Sequence, residues 1–499
     1  MHPLLRLPTP RLTRGVAACV LAQALAACAP LPVALPPVTP VPESFREPAT
    51  LPEGARAPEA MPDGGWWRVF GDPRLDAWIE SARSGNPGLA QAAARVARAA
   101  AALGVEAARA QPQLDAGVGA TRQVGPLVNA VGSRGNLFDA RALLSWDLDL
   151  LQRLSRQQQA ALHDLRAQQA LQRQAARVLE ADVAQTYLAW RAVVAEQGAL
   201  EAVLASDRAL AAVAERRVQA GLVPAHVKSV ALADQWADEA ELQALARRRA
   251  LLEHALVALA GGQDADGFTT SGVAPDPATM TPPAIPPGLP SRMLQRRDDV
   301  AAAEQALQAA RLRLGLARDA WFPSLTLTAH AGLASSELGQ WLRAAARSAG
   351  LGLLLNLPLL DGGRLDAERA AAEAALQEAT AAHRERVVQA LREVEDQLAT
   401  LRTLALEAEL RRAAVDEAAR EAERAQQSWT RGLVAQAEPL LAARVRDRQR
   451  RLWLQAQAAR QQATVQLVRA LGGGWSGAVA ATDTDGTAAT AALGRPHAD

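Results

Sequence analysis

Every second residue from Leu114 to Ala120 is apolar: Leu114, Ala116, Val118 and Ala120 alternate with Asp115, Gly117, Gly119 and Thr121. A period of two puts one set on each face of a strand. The alternation recurs in Phe138, Ala140, Ala142, Leu144, Trp146, Leu148 and Leu150 against Asp139, Arg141, Leu143, Ser145, Asp147 and Asp149, with Leu143 the one exception. It returns in Leu325, Leu327, Ala329, Ala331 and Leu333, and again in Leu351, Leu353, Leu355, Leu357 and Leu359. Loops containing Gly and polar residues join each pair, so the pattern predicts two β-hairpins. Elsewhere the spacing changes. Val387, Leu391, Val394, Leu398, Leu401, Ala405 and Ala408 alternate steps of four and three, the a/d pattern of a coiled coil, with Arg392, Glu393, Glu395 and Asp396 on the other faces. Val183, Tyr187, Trp190 and Val194 share that spacing. Both sets lie in proline-free stretches, Leu154 to Ala220 and Leu365 to Arg431, each predicting a helix roughly 100 Å long at about 1.5 Å per residue. Gly221 and Gly432 can supply the left-handed residue that ends a helix, and an antiparallel partner then runs to Gly261 or Gly472.

The elements occur twice. Gly104 and Gly315, Pro112 and Pro323, Arg153-Leu154 and Arg364-Leu365, Gly221-Leu222-Val223 and Gly432-Leu433-Val434, and Gly261-Gly262 and Gly472-Gly473 are all separated by 211 residues. A constant offset across punctuating residues means two copies with the same elements in the same order. Each opens with helical sequence, from about Pro73 to Ala110 with a break near Asn86-Pro87, and from about Ser291 to Trp321. Proline then removes a backbone donor and starts an extended segment. Each copy is a β-hairpin joined to a long α-hairpin.

The ends add a location. Arg6, Arg11 and Arg14 precede an apolar run from Gly15 to Ala27, too short for a mature transmembrane helix and laid out as a secretory signal. It ends in Leu25-Ala26-Ala27-Cys28, similar to a bacterial lipobox, in which Cys28 would carry acyl chains such as palmitate that tether the N-terminus to a leaflet. The alternative is an ordinary signal peptide with a chance Cys. Ala29, rather than Asp, resembles a lipoprotein sorted to the outer membrane. Cys19 leaves with the signal, so neither an intrachain disulfide nor a Cys metal site is expected. The organisation is a signal peptide over 1–27, an acylated N-terminus and Pro-rich linker over 28–65, repeat one over 66–263, a Pro-rich linker over 264–290, repeat two over 291–475 and a disordered tail over 476–499.

With 54 basic and 53 acidic residues the net charge is +1, which disfavours nucleic-acid binding. Hydrophobic residues make up 49% and aromatics only 3%, the Ala- and Leu-rich balance of closely packed helices. Strands of about 10 residues suit a bilayer when tilted, although a soluble sheet packed on helices shows the same alternation. The sorting signal and the long helices favour the membrane. Four strands in lipid leave two unpaired edges at several kcal/mol per group, so closure requires several chains. An even strand count is usual; three chains would give twelve strands, and physics alone also permits two or four.

At this point the chain resembles the outer membrane factor family, the TolC-like channels, and especially its lipoprotein members serving resistance-nodulation-division efflux pumps. The similarity covers nearly the whole mature chain. It is carried by Gly65-Trp66-Trp67 with Phe70-Gly71-Asp72-Pro73, by Ala302-Ala303-Glu304 with Phe322-Pro323-Ser324-Leu325, by Pro358-Leu359-Leu360-Asp361-Gly362-Gly363-Arg364, by Glu393-Val394-Glu395-Asp396 and by Ala470-Leu471-Gly472-Gly473-Gly474-Trp475. Each is weak alone; their order is specific. The resemblance implies an α+β membrane protein of two tandem repeats, a homotrimer with a twelve-stranded β-barrel in outer membrane lipids and a periplasmic α-helical barrel. It implies that the turns at Gly221, Leu222, Val223 and at Gly432, Leu433, Val434 form a tip where a periplasmic adaptor of an inner-membrane pump docks, and that Leu441 and Arg444 lie in the gate region. Three departures stand out. Asp298 occupies the place of the family's Pro, which puts the turn entering that helix in question; Leu441 stands where relatives carry an acidic residue, although Arg444 keeps its place; and Tyr187 is the only tyrosine, leaving Trp146 and Trp341 to serve an aromatic belt.

No chemistry of an enzyme assembles. His226, His254, His330 and His383 have no partner at ligand spacing. Gly472-Gly473-Gly474 lacks the Gly-Lys-Ser/Thr of a phosphate loop. No cofactor is expected. The function expected is the outer membrane channel of a tripartite efflux system, a passive export duct for small molecules such as drugs. The alternatives are the duct of a type I protein secretion system, a periplasmic adaptor, or a structural coiled-coil lipoprotein.

Overall fold

A computed structural model describes residues 40–47, 65–124, 134–262, 283, 285–340, 343 and 347–473. The signal peptide, Cys28, Trp341, Gly474-Trp475 and the tail lie outside the described residues. After a 3-10 turn at Trp66–Phe70 come α1 (Pro73–Gly85), α2 (Pro87–Arg109), β1 (Gln113–Val124), β2 (Arg134–Asp147), α3 (Arg153–Gln219) and α4 (Ala225–Leu259). The second series is α5 (Pro290–Arg296), α6 (Asp298–Asp319), β3 (Ser324–Ser335), β4 (Arg347–Asn356), α7 (Arg364–Thr430) and α8 (Ala437–Ala470). The two long helices, α3 and α7, have 67 residues each. No described helix is long and apolar enough to cross a membrane.

The stretch expected to run unbroken from Ser291 to Trp321 is instead broken at Arg297. Arg297 (φ −75°, ψ 115°) is as extended as Asn86 (φ −71°, ψ 120°), its counterpart 211 residues earlier. The turn that Asp298 put in question is therefore the same turn in both copies. Pro87 enforces it in the first, by disfavouring helical geometry in the residue before it. In the second, ion pairs replace proline: Arg297 with Asp299 at 2.7 Å and Arg173 with the buried Asp298 at 2.8 Å.

The four strands form one antiparallel sheet in the order β1-β2-β3-β4. Its register aligns every apolar set: Leu114 faces Leu144, Ala142 faces Ala331, Trp146 faces Leu327, and Leu327 faces Leu353. The alternation in sequence outruns the strands, since Leu148, Leu150, Leu357 and Leu359 fall beyond Asp147 and Asn356. Two residues end the ladders. Pro358 has no donor, and Asp149 turns back to accept from Leu154 N–H (3.0 Å) and Ser155 N–H (2.9 Å) at the start of α3. Asp361 plays that part for α7, accepting from Gly363 and Leu365. These helix N–H donors are otherwise orphans.

By packing, the chain forms two compact units, and neither is a repeat. One takes residues 87–175 and 297–389; the other takes 41–86, 176–296 and the chain from 390. Each repeat thus contributes to both. The first unit holds the sheet, α2, α6 and the starts of α3 and α7. In the second, the a/d positions Val183, Tyr187, Trp190, Val394, Leu398 and Ala408 are buried, while Val194, Leu391, Leu401 and Ala405 are half-buried. Val193, Leu200 and Val203 of α3 pack with Leu245 of α4, and Ala199 packs with Trp453 and Leu454 of α8.

Two of the sequence motifs have structural duties in this second unit. Asp72 accepts from Arg74 N–H as the α1 cap and, in buried hydrogen bonds, from Tyr187 O–H at 2.7 Å and from Arg191 at 3.1 Å. Burial and then the Asp72 hydrogen bond push the Tyr187 hydroxyl up. The only tyrosine is thus a core residue. Glu395 accepts the backbone N–H groups of Arg46 (2.7 Å) and Glu47 (2.9 Å), tying the N-terminal segment to α7. Gly261 and Gly472 end the second arms of the hairpins at φ 88° and 94°. A Cβ on Gly261 would lie 2.1 Å from Gly85 O, and one on Gly472 3.2 Å from Arg296 O, the matched residue.

Candidate functional site

The first candidate surface is the sheet. One face carries the aligned apolar residues and is open at its margins, with Leu114 and Val118 of β1 at 70% and 80% exposure and Leu351 of β4 at 78%. Trp146 lies on this face with its indole N–H donating to Ala110 O at 3.1 Å. The other face carries Asp115, Asp139, Arg141, Asp147, Thr326, Thr328 and His330, and the Thr326 hydroxyl donates to Asp147. Both β1 and β4 are edge strands with one paired side each. A bare edge is a template for another strand, and an apolar outer face with a polar inner face is the wall of a membrane barrel. The sheet is four staves of such a wall.

The second surface, in the other compact unit, is the pair of hairpin turns. Gly221 has φ 67° and Gly432 φ 74°. Leu222 N–H donates to Arg217 O at 2.8 Å and Leu433 N–H to Ser428 O at 2.9 Å, closing the same six-residue ring in both copies, with glycine as the left-handed residue. Leu222 and Leu433 are exposed, whereas Val223 and Val434 are half-buried. Two exposed leucines on rigid turns are apolar points available to a partner. The turns differ at one place, where Pro224 precedes α4 and Ala435 occupies the matched position.

Leu441 and Arg444 both lie on α8, and only one is held. Leu441 is half-exposed, while Arg444 is paired with Asp207 of α3 at 2.8 Å and Asp234 of α4 at 2.8 Å. Arg444 is the first of three rungs. Arg448 pairs with Asp238 of α4 at 3.3 Å, and Arg451 pairs with Glu241 of α4 and with Glu196 of α3 at 2.7 Å. Sequence reasoning missed Arg448, Arg451 and all their carboxylates. A signal existed: Asp234, Asp238, Glu241 and Arg444, Arg448, Arg451 both step by four and three, the spacing of one helix face, and each pair is 210 residues apart.

Asp207 is 1% exposed and lies against Asp238. Burial, then the hydrogen bond shared with Asp238, push the Asp207 carboxyl up to about 7 against the pull of Arg444. Asp238 goes the other way: burial opposes ionisation, but the hydrogen bonds from Asp207 and Arg448 hold it below the usual range. One carboxyl of the pair keeps its proton and the other its charge. Such a centre can change charge near neutral pH, but it holds no nucleophile aimed at open space and no reaction follows from it.

The chain matches the family model described as outer membrane efflux protein over residues 78–262 and 289–473. It is 30% identical to outer membrane protein OprJ of Pseudomonas aeruginosa over 82% of this chain and 86% of that protein. It is 32% identical to the toluene efflux pump outer membrane protein TtgF of Pseudomonas putida, over 82% and 85%. The solved MtrE outer membrane channel of Neisseria gonorrhoeae, in its open state, superposes with a TM-score of 0.77 at 25% identity, over 89% of this chain and 98% of that one.

Proposed function

The chain belongs to the outer membrane efflux protein family, and on that premise we propose that three copies close one barrel and serve a pump through an adaptor. It is an outer membrane efflux channel, not an enzyme. The observation that carries the proposal is the register: an amphipathic four-stranded sheet with two open edges. Copies of the chain complete it, β4 of one pairing β1 of the next, which satisfies backbone groups that lipid would leave unpaired. The polar face then lines a water-filled path. The duct is passive; its energy comes from an inner-membrane pump, which also selects the cargo. Small molecules are the cargo class, in keeping with the toluene and pyoverdine named for its relatives.

The adaptor engages the turns at Gly221 to Val223 and Gly432 to Val434, where Leu222 and Leu433 are presented. The gate region holds Leu441 and Arg444, and the ion pairs of Arg444, rather than an acid at 441, keep α8 against α3 and α4. Cys28 carries the lipid anchor, in line with Leu25-Ala26-Ala27-Cys28. Replacing Gly221 and Gly432 by Asp puts charge at both turns in a residue that tolerates positive φ. Export from a strain lacking its own channel is expected to be lost, with trimers intact on a native gel. Normal export by that variant would remove the docking claim, and purified protein that stayed monomeric and passed no current in a planar bilayer would remove the channel.

A further inference from the structure

All the charge on the polar face of the sheet is confined to a few levels, and one level can change it. Along the register, Gly117, Arg141, Gly332 and Ser348 stand side by side; the next level holds Asp115, Leu143, His330 and Gly350. Gly117, Gly119, Gly332, Gly350 and Gly352 all belong to this face. Glycine weakens a strand, so its placement beside the long side chains marks a need for space. The need is visible at Gly350, where a Cβ would lie 2.4 Å from His330 Cε1: the imidazole lies flat across that glycine. At the level of Asp139, a Cβ on Gly119 would meet the carboxylate at 2.5 Å. Arg141 is 75% exposed, reaching toward Asp139 at 3.7 Å, and His330 is exposed.

We propose that His330 sets the pH dependence of the channel's ion selectivity. The inference rests on the reading above, in which the polar face lines the barrel. The fixed charges that share this face with His330 are Arg141 one level away and Asp139 and Asp147 two levels away on β2, and Asp115 of β1 beyond Leu143; β4 contributes only the uncharged Ser348, Gly350, Gly352, Leu354 and Asn356. Three aspartates against one arginine make the wall net negative, and a cation is the favoured traveller. Histidine is the side chain that changes charge between about pH 5 and 8. One proton on His330 halves the net charge of this face in each subunit, and the copies in a closed barrel bring their histidines to one level. Glycine opposite Asp139, Arg141 and His330 leaves room for those side chains against the wall, so charge is altered without narrowing the path.

The test is the reversal potential of purified channels in planar bilayers under a KCl gradient, at salt near 0.01 M, where the screening length is about 30 Å. Wild type is expected to lose several-fold of its K⁺ over Cl⁻ preference between pH 8 and pH 5.5. His330→Gln should hold the pH 8 preference throughout, and His330→Lys the acid preference throughout. An unchanged shift in His330→Gln, or no shift in wild type that conducts, overturns the assignment and leaves the channel standing. Preparations that carry no current in any variant overturn the channel reading and this inference together.

Discussion

Arg191 and Arg402 occupy the same position in the two repeats, 211 residues apart, and live in different surroundings. Arg191 is 2% exposed beside the equally buried Asp72, whereas Arg402 is 49% exposed and meets Glu47 at 3.2 Å. The same divergence appears in the returning arms, where α4 carries Asp234, Asp238 and Glu241 and α8 carries Arg444, Arg448 and Arg451. Between the copies the backbone is repeated and the charges are not. An identical second arm would place alanine, the residue at Ala233, Ala237 and Ala240, opposite these carboxylates; the divergent arm places arginine there and pairs. The duplication supplies the geometry, and its asymmetry supplies the cohesion.

The comparison breaks most sharply at the matched arginines. Arg191→Met leaves Asp72 buried without its cation and is expected to cost about 3–5 kcal/mol. Arg402→Met, in the exposed pair, should cost about 0–1 kcal/mol. Chemical unfolding of detergent-solubilised protein measures both, and equal midpoints for the two variants would contradict the assigned environments.

A middle-sized effect is expected at the rungs. Arg444→Ala should cost about 2 kcal/mol, between the exposed and buried limits, and Asp207→Asn added to it should restore part of the loss. The pH dependence has a definite sign. A carboxyl raised from 3.8 to about 7 stabilises the fold fully below pH 3.8, and that contribution is lost as pH rises through about 7. Asp238, held below 3.8, stays ionised over this window and adds no slope. Intrinsic-rate-corrected hydrogen exchange near Arg444 should therefore quicken from pH 6 to pH 8, and the Asp207→Asn variant should be flat. A slope of the same size in that variant would place the titration elsewhere.

The smallest effect sharpens the comparison at the starts of the long helices. Gln152 and Gly363 are matched, and both have positive φ, 55° and 88°. Only the first copy places a side chain there, at a cost of roughly 1 kcal/mol. Gln152→Gly should raise the unfolding midpoint slightly and Gly363→Gln lower it; a reversed order would mean that the Gln152 side chain contributes more than its backbone costs.

Much of this was legible. The proline-free stretches located α3 and α7 to within a residue at each end, and the alternation of period two assigned both faces of all four strands. The glycines at 221 and 432 marked the turns because only their φ lets the chain reverse there so tightly. The break at Arg297 was not legible, because ion pairs to Asp299 and Asp298 do the work that Pro87 announces openly in the first copy. The rungs were missed for a related reason: on a single helix, Asp234 or Arg448 is indistinguishable from a solvated charge.

The elements, their order, their duplication and the residues that share a face follow from residue order alone, since helix and strand periods are properties of the local backbone. Strand register, the pairing of each arginine with its carboxylate, and the placement of His330 across Gly350 came from packing. Those depend on how separate elements approach, and distances of a few ångströms between residues far apart in the chain leave no mark on local spacing.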